Sequence, residues 1–309
     1  MPASLALVLI LAACAATGGP PSGSSSSSPT PRPEGRIDHP TGVEPVLVIE
    51  ETGGFAMVGM LATRLPTFVM LGDGRVIMGG MQTLEFPGPA LPPLIERTLT
   101  EEGVQQVLEA VESMNLFTAD TDLRGASSMV ADATDTVFRL DAGGRQVTVS
   151  VYGLGLLDPS MGTPEGITAG ELQAHATLSS LRDALLALDA TIGAEGWETE
   201  GWQPYEPVAF RLYVRDVTDD PVEGDDLPGQ VGAWPTEDDP ATFGEEQPGF
   251  GDGTRCDVVQ GDDAAEWWAA LTEANQNTTW SDGGERRYSV IPRPLLPGED
   301  LVCPELFGA

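Results

Sequence analysis

Two β-hairpins separated by a capped helix constrain this chain's fold more than any other feature. Thr67-Phe68-Val69-Met70-Leu71 and Val76-Ile77-Met78 are β-formers on either side of Asp73-Gly74, a pair that tolerates positive φ and so closes a tight hairpin. Met81 to Phe86 extends that apolar pattern. Thr136 to Leu140 and Val147 to Tyr152 flank Asp141-Ala142-Gly143-Gly144 in the same way. Between them Val104, Val107, Leu108 and Val111 form one stripe at helical period. Thr98 stands in capping-box spacing with Glu101, Thr100 offers a second cap, and Asn115 is a stop. A second helix opens at Thr168, with Glu171 three residues on, and carries Leu178, Leu181, Leu185 and Leu188.

Further strands are expected at Val46 to Ile49, Phe55 to Met60 and Val208 to Val214. The last third repeats a strand–helix–strand order: Cys256 to Val259, Asp262 to about Ala274, and Arg287 to Ile291. Asp262 and Asp263 suit the positive end of that helix. Hairpins plus helices predict an α+β fold, an antiparallel sheet of hairpins with helices packed on one face. The expected division is 38–195 for the hairpin–helix–hairpin–helix region and 196–309 for the C-terminal strand–helix–strand region with its acidic loop.

The chain ahead of residue 38 is of another kind. An apolar run from Leu5 to Leu11 leads through Ala12-Ala13 to Cys14. It is too short to span a bilayer, which takes about 20 residues, and has the length of a signal-peptide core. Small residues followed by cysteine are the arrangement of a bacterial lipoprotein signal over residues 1–13, with Cys14 taking the diacylglycerol. Residues 14–37 are rich in Gly, Ser, Pro and Thr, with serine at every position from Ser24 to Ser28, and are expected to be a flexible tether. The expected location is the extracytoplasmic face of the cell membrane, held through Cys14.

Charge narrows the chemistry. The formal net charge is −33, and all 15 basic residues other than histidine are Arg. Without lysine there is no Schiff base, Ser-Lys dyad or Walker-type phosphate ligand. Such acidity argues against nucleic acid or anionic lipid as partners. From Asp216 to Asp263 the acidic residues outnumber the basic ones fifteen to one. No segment of the sequence has calcium-loop spacing. The nearest attempt starts at Asp120 and Asp122, with Arg124 and Ala131 at ligand positions, so no metal or cofactor is expected. Beyond Cys14 only Cys256 and Cys303 remain. In an exported chain they read as one disulfide, worth about 4 kcal/mol for so long a loop in the chain-entropy account.

The stretch from Pro66 to Tyr152 carries TFVMLGDGRVIMGG, LTEEGVQQVLEAVESMNLF and DATDTVFRLDAGGRQVTVSVYGLG in that order. It resembles a domain family of unknown function, which has a hairpin with an Asp-Gly-Arg turn, an acidic helix and a second hairpin. Members of that family often carry a cysteine pair where this chain has Leu65-Pro66. The segment RPLLPGEDLVC, Arg293 to Cys303, resembles the end of uncharacterised lipoproteins of high-GC Gram-positive bacteria. Neither resemblance implies an activity.

No Gly-x-Ser-x-Gly, His-Glu-x-x-His or Cys-x-x-Cys spacing is present. All 6 tryptophans lie between Trp197 and Trp280. Trp197, Trp202 and Tyr205 fall in a loop-like near-repeat and are the candidate binding residues, since flat rings stack on sugars or anchor protein partners. The adjacent Trp267 and Trp268 point about 100° apart on a helix, one into the core and one at its edge. The expectation is a non-enzymatic envelope binding or interaction module for a cell-wall glycan or another envelope protein. The alternative is a hydrolase of wall polysaccharide using a carboxylate pair, with Asp132 and Asp135 as its candidates.

Overall fold

The computed structural model describes residues 35–128, 130–220 and 230–305. The signal region, Cys14 and most of the tether lie outside the described residues. The first sheet has eight strands: β1 (Pro45–Gly53), β2 (Phe68–Leu71), β3 (Arg75–Gly79), β4 (Leu94–Thr98), β5 (Thr121–Leu123), β6 (Thr134–Ala142), β7 (Arg145–Tyr152) and β8 (Gln203–Pro204). Their spatial order is β5-β7-β6-β1-β2-β3-β4-β8. The second has six: β9 (Ala209–Asp216), β10 (Gln230–Ala233), β11 (Glu245–Glu246), β12 (Arg255–Gln260), β13 (Thr278–Ser281) and β14 (Arg287–Pro294), in the order β10-β13-β14-β9-β12-β11. The helices are α1 (Val58–Thr63), α2 (Glu101–Ser113), α3 (Ala169–Leu186), α4 (Leu188–Thr191) and α5 (Asp262–Thr272).

The α+β class is present, and the single antiparallel sheet is corrected. There are two sheets and both are mixed, because β5 runs parallel to β7 and β10 parallel to β13. Both parallel strands join partners distant in sequence, which no hairpin signal encodes. Ile37–Ala309 forms one compact unit.

Both hairpins form as the turn residues require. β2 pairs β3 and β6 pairs β7. At the first turn Asp73 Oδ1 accepts from the Arg75 N–H at 3.1 Å, and Gly74 has φ +86°. A Cβ on Gly74 would stand 2.5 Å from the Leu99 carbonyl oxygen, so glycine is required by backbone angle and by space. Met81 to Phe86 does not extend the hairpin. β4 takes the place beside β3, the Gly80 N–H donates to the Pro93 carbonyl at 2.7 Å, and Met81 and Leu84 stand exposed. Phe55 to Met60 is not a strand either. Phe55 is 93% exposed and Val58 onward turns into α1, of which only Ala62 is buried.

Thr100, rather than Thr98, caps α2. Its hydroxyl accepts from the Gly103 N–H at 3.2 Å, and Thr98 ends β4. The helix ends at Ser113, two residues before Asn115, which has φ 54°. Its stripe meets that of α3 on one face of the first sheet. Val104, Leu108, Val111, Leu178, Leu181 and Leu185 share a core with Phe68, Met70, Phe138 and Leu140. Burying each such side chain contributes about 1.5–3 kcal/mol. Gln105, also on α2 and buried, clamps the backbone at Ile37. Its Oε1 accepts from the Ile37 N–H at 2.8 Å and its Nε2 donates to the Ile37 carbonyl at 2.9 Å.

α5 covers the second sheet, with Trp267 fully buried beside Trp234 and Trp280. The C-terminal segment folds back on this sheet. Arg293 holds Glu299 in a two-pronged ion pair at 2.7 and 2.6 Å. Arg211 donates to the Val302 and Asp300 carbonyls. The Cys256–Cys303 disulfide, with Cα atoms 6.1 Å apart, fastens the end.

Candidate functional site

Trp197, Trp202 and Tyr205 do not form one open three-ring surface. Trp197 closes a turn against the first core, bridges to Leu99, and is 8% exposed under the Arg97 guanidinium at 4.0 Å. Trp202 meets it edge-to-face at 5.7 Å and is half-buried. The Trp202 indole N–H donates to Asp189 Oδ2 at 2.6 Å, and the other Asp189 oxygen pairs with Arg97. Tyr205 is 5% exposed and packs in a different cluster with Leu94 and Leu296. Its hydroxyl donates to the Leu295 carbonyl at 3.1 Å. Burial pushes the Tyr205 phenol up to about 12, so it stays protonated and bound inward.

Trp202 and Tyr205 nonetheless converge, with Trp268 as their third partner. They line a groove of about 360 Å³ between the β4–β8 edge and α5. Trp268 is the outer member of the adjacent pair. Trp267 fills the core, while Trp268 stacks on Phe210 at 6.4 Å and stays half-buried. Prolines supply much of the remaining wall, among them Pro92, Pro204 and Pro207. Pro204 sits on a two-residue edge strand, where a missing N–H costs least. None of the lining residues is Asp, Glu, His, Cys or Arg. The Thr272 hydroxyl is turned back to the Ala269 carbonyl at 2.9 Å. The groove offers aromatic rings, with the Trp202 N–H and the Tyr205 hydroxyl bound elsewhere and the Trp268 N–H and the Gln203 amide without a hydrogen bond among the described residues. That suits stacking and supplies no proton shuttle or nucleophile.

Acidic side chains stand around the groove. Glu206, between Tyr205 and Pro207, and Glu273, after Thr272, are exposed. Glu96 is half-buried on β4, and its Oε2 has no hydrogen-bond partner among the described residues. Burial pushes its carboxyl above the usual value, Arg75 opposes this, and Asp73 and Glu206 add to it.

A larger concavity of about 530 Å³ lies over β1, β6 and β7. Most of its charges are engaged, Glu50 with Arg139 at 2.6 Å, Glu299 with Arg293, and Asp141 with the Gln146 amide at 2.7 Å, while Glu44 lines it without an ion pair among the described residues. The candidate carboxylates Asp132 and Asp135 stand at the approach to β6 and within it. Asp135 is held by Arg124 at 3.0 Å, while Asp132 is exposed with φ 60°. Among the described residues no cluster of His, Cys, Asp and Glu is placed to hold a metal, and no helix is long and apolar enough to cross a membrane.

No family model, curated protein or solved structure matches this chain. Of the three candidate rings, Trp202 and Tyr205 line this groove and Trp197 does not; as groove residues none of them was legible. Nor were Trp268 and the prolines, because α5 and the segment around Pro92 meet only in the tertiary fold.

Proposed function

We propose that this chain is an extracytoplasmic lipoprotein, anchored to the membrane through Cys14, whose globular part is a non-enzymatic binding module. The lipoprotein signal and the cysteine pair support the location, and the two sequence resemblances support kinship with uncharacterised envelope lipoproteins. The observation that carries the binding reading is the Trp202–Tyr205–Trp268 groove. Three aromatic rings line it, the Trp202 N–H and the Tyr205 hydroxyl are bonded inside the fold, and none of the lining residues is Asp, Glu, His, Cys or Arg.

Two experiments test this. Palmitate labelling and fractionation of cells expressing the full chain should place it in the membrane, and Cys14→Ser should lose both label and membrane association. Retention of Cys14→Ser in the membrane removes the anchor. Purified protein should be retained on isolated cell envelope, with retention lost in Trp202→Ala and Trp268→Ala and kept in Asp132→Asn. Equal retention of all variants removes the groove as the seat. Release of reducing sugar from wall polysaccharide by the wild type, lost in Asp132→Asn, would replace this reading with the hydrolase.

A further inference from the structure

The geometry points to a basic, proline-rich peptide in polyproline conformation as the occupant of the Trp202–Tyr205–Trp268 groove; this rests on the reading of that groove as the binding seat. Three features of the site select it.

The first is shape. Trp202, Tyr205 and Trp268 present rings along one apolar channel walled by Pro92, Pro204 and Pro207. A polyproline helix repeats every three residues, offers flat pyrrolidine faces, and has little conformational freedom to lose on docking.

The second is how few hydrogen-bonding groups are free: of the lining side chains only the Gln203 amide and the Trp268 indole N–H have no hydrogen bond among the described residues. The Trp202 N–H, the Tyr205 hydroxyl and the Thr272 hydroxyl are all donated within the fold. A sugar ring entering here would have only Gln203 and Trp268 for its several hydroxyls, and each one buried without a partner costs about 1–3 kcal/mol. Proline has no N–H to satisfy, and its carbonyls stand clear of the helix axis toward water.

The third is charge. No arginine lines the groove. Glu206 and Glu273 are exposed beside it, and neither side chain has an ion pair or hydrogen bond among the described residues. The guanidinium nearest Glu96 is Arg75 at 3.9 Å, which is itself bonded to Asp73 at 2.9 Å. Around a molecule of formal net charge −33, such a rim draws cationic side chains, and a guanidinium over a tryptophan face adds cation–π attraction.

Tryptophan fluorescence of the full chain, titrated with a peptide of Arg-Pro-Pro repeats, tests this. Saturable binding that weakens as salt rises is expected. Glu-Pro-Pro and Arg-Ala-Ala repeats should bind about tenfold more weakly or worse. Trp268→Ala should cost about tenfold or more, as for a central ring of an interface. Glu206→Arg alters only an exposed side chain, so it keeps the test independent of folding. It should weaken the Arg-Pro-Pro peptide and flatten its salt dependence. Equal binding of Arg-Ala-Ala repeats would reduce the effect to charge and overturn the inference, as would an unchanged affinity in both variants. Saturation by wall polysaccharide with no peptide binding, abolished in Trp268→Ala, would overturn the peptide and leave the groove as the seat. Binding of neither would overturn both.

Discussion

His175 lies buried on α3 with neither ring nitrogen hydrogen-bonded among the described residues. Burial holds its pKa below the ordinary imidazole value, and Glu171 one turn earlier opposes this only partly. The folded state resists protonation and the unfolded state does not. Stability from this residue is therefore complete above the ordinary value and is lost as pH falls through the depressed folded value. Urea unfolding between about pH 8 and about pH 5 should show that loss, and His175→Leu should remove this component while keeping or raising stability at neutral pH. An identical pH profile in the variant would show that His175 is not its source. The same scale explains what was legible of the site. Trp202 and Tyr205 were visible as rings in sequence. That Asp189 would hold one and the Leu295 carbonyl the other was not, since both partners arrive through tertiary contact.

α2 shows how space overrides propensity. Replacing Gly103 with alanine should raise helix stability by up to about 1 kcal/mol. However, the new Cβ would stand 2.2 Å from the Gly196 carbonyl oxygen, a backbone atom that no rotamer change can move. Overpacking of this kind costs about 1–3 kcal/mol, so Gly103→Ala should lower the urea midpoint. Gly170→Ala on α3, with nothing within 4 Å, should raise it through a stability gain of about 0.4–1 kcal/mol. The opposite order would refute the argument. Thr100→Ala should cost about 1 kcal/mol through the lost cap. Elements whose signals are local were legible: the turns at Asp73-Gly74 and Gly143-Gly144, the cap at Thr168 and the stripes of α2 and α3. A short apolar run does not distinguish helix from strand, which is why Phe55 to Met60 read as extended. β4, only five residues long, follows a proline run, and β5 and β10 find parallel partners far along the chain. Nothing in their own residues announces those pairings.

At the scale of the whole molecule, charge and the crosslink dominate. A formal net charge of −33 repels itself most at low ionic strength. Adding salt to about 1 M, where screening acts over about 3 Å, should raise the unfolding midpoint; a fall would mean that specific ion pairs outweigh the repulsion. Reducing Cys256–Cys303, which spans 47 residues, should lower stability by about 4 kcal/mol in the chain-entropy account. Cys303→Ser should reproduce the drop without reductant. The clamp of Gln105 on Ile37 has a mechanical consequence. Both backbone groups of Ile37 are tied to α2, and the next residue's carbonyl accepts from the Gly143 N–H at 2.7 Å. Tension transmitted along the chain ahead of Ile37 is therefore shared at once between a helix side and a hairpin tip. These bonds lie ahead of β1, so a pull from that side loads a helix and a hairpin before it loads the first strand.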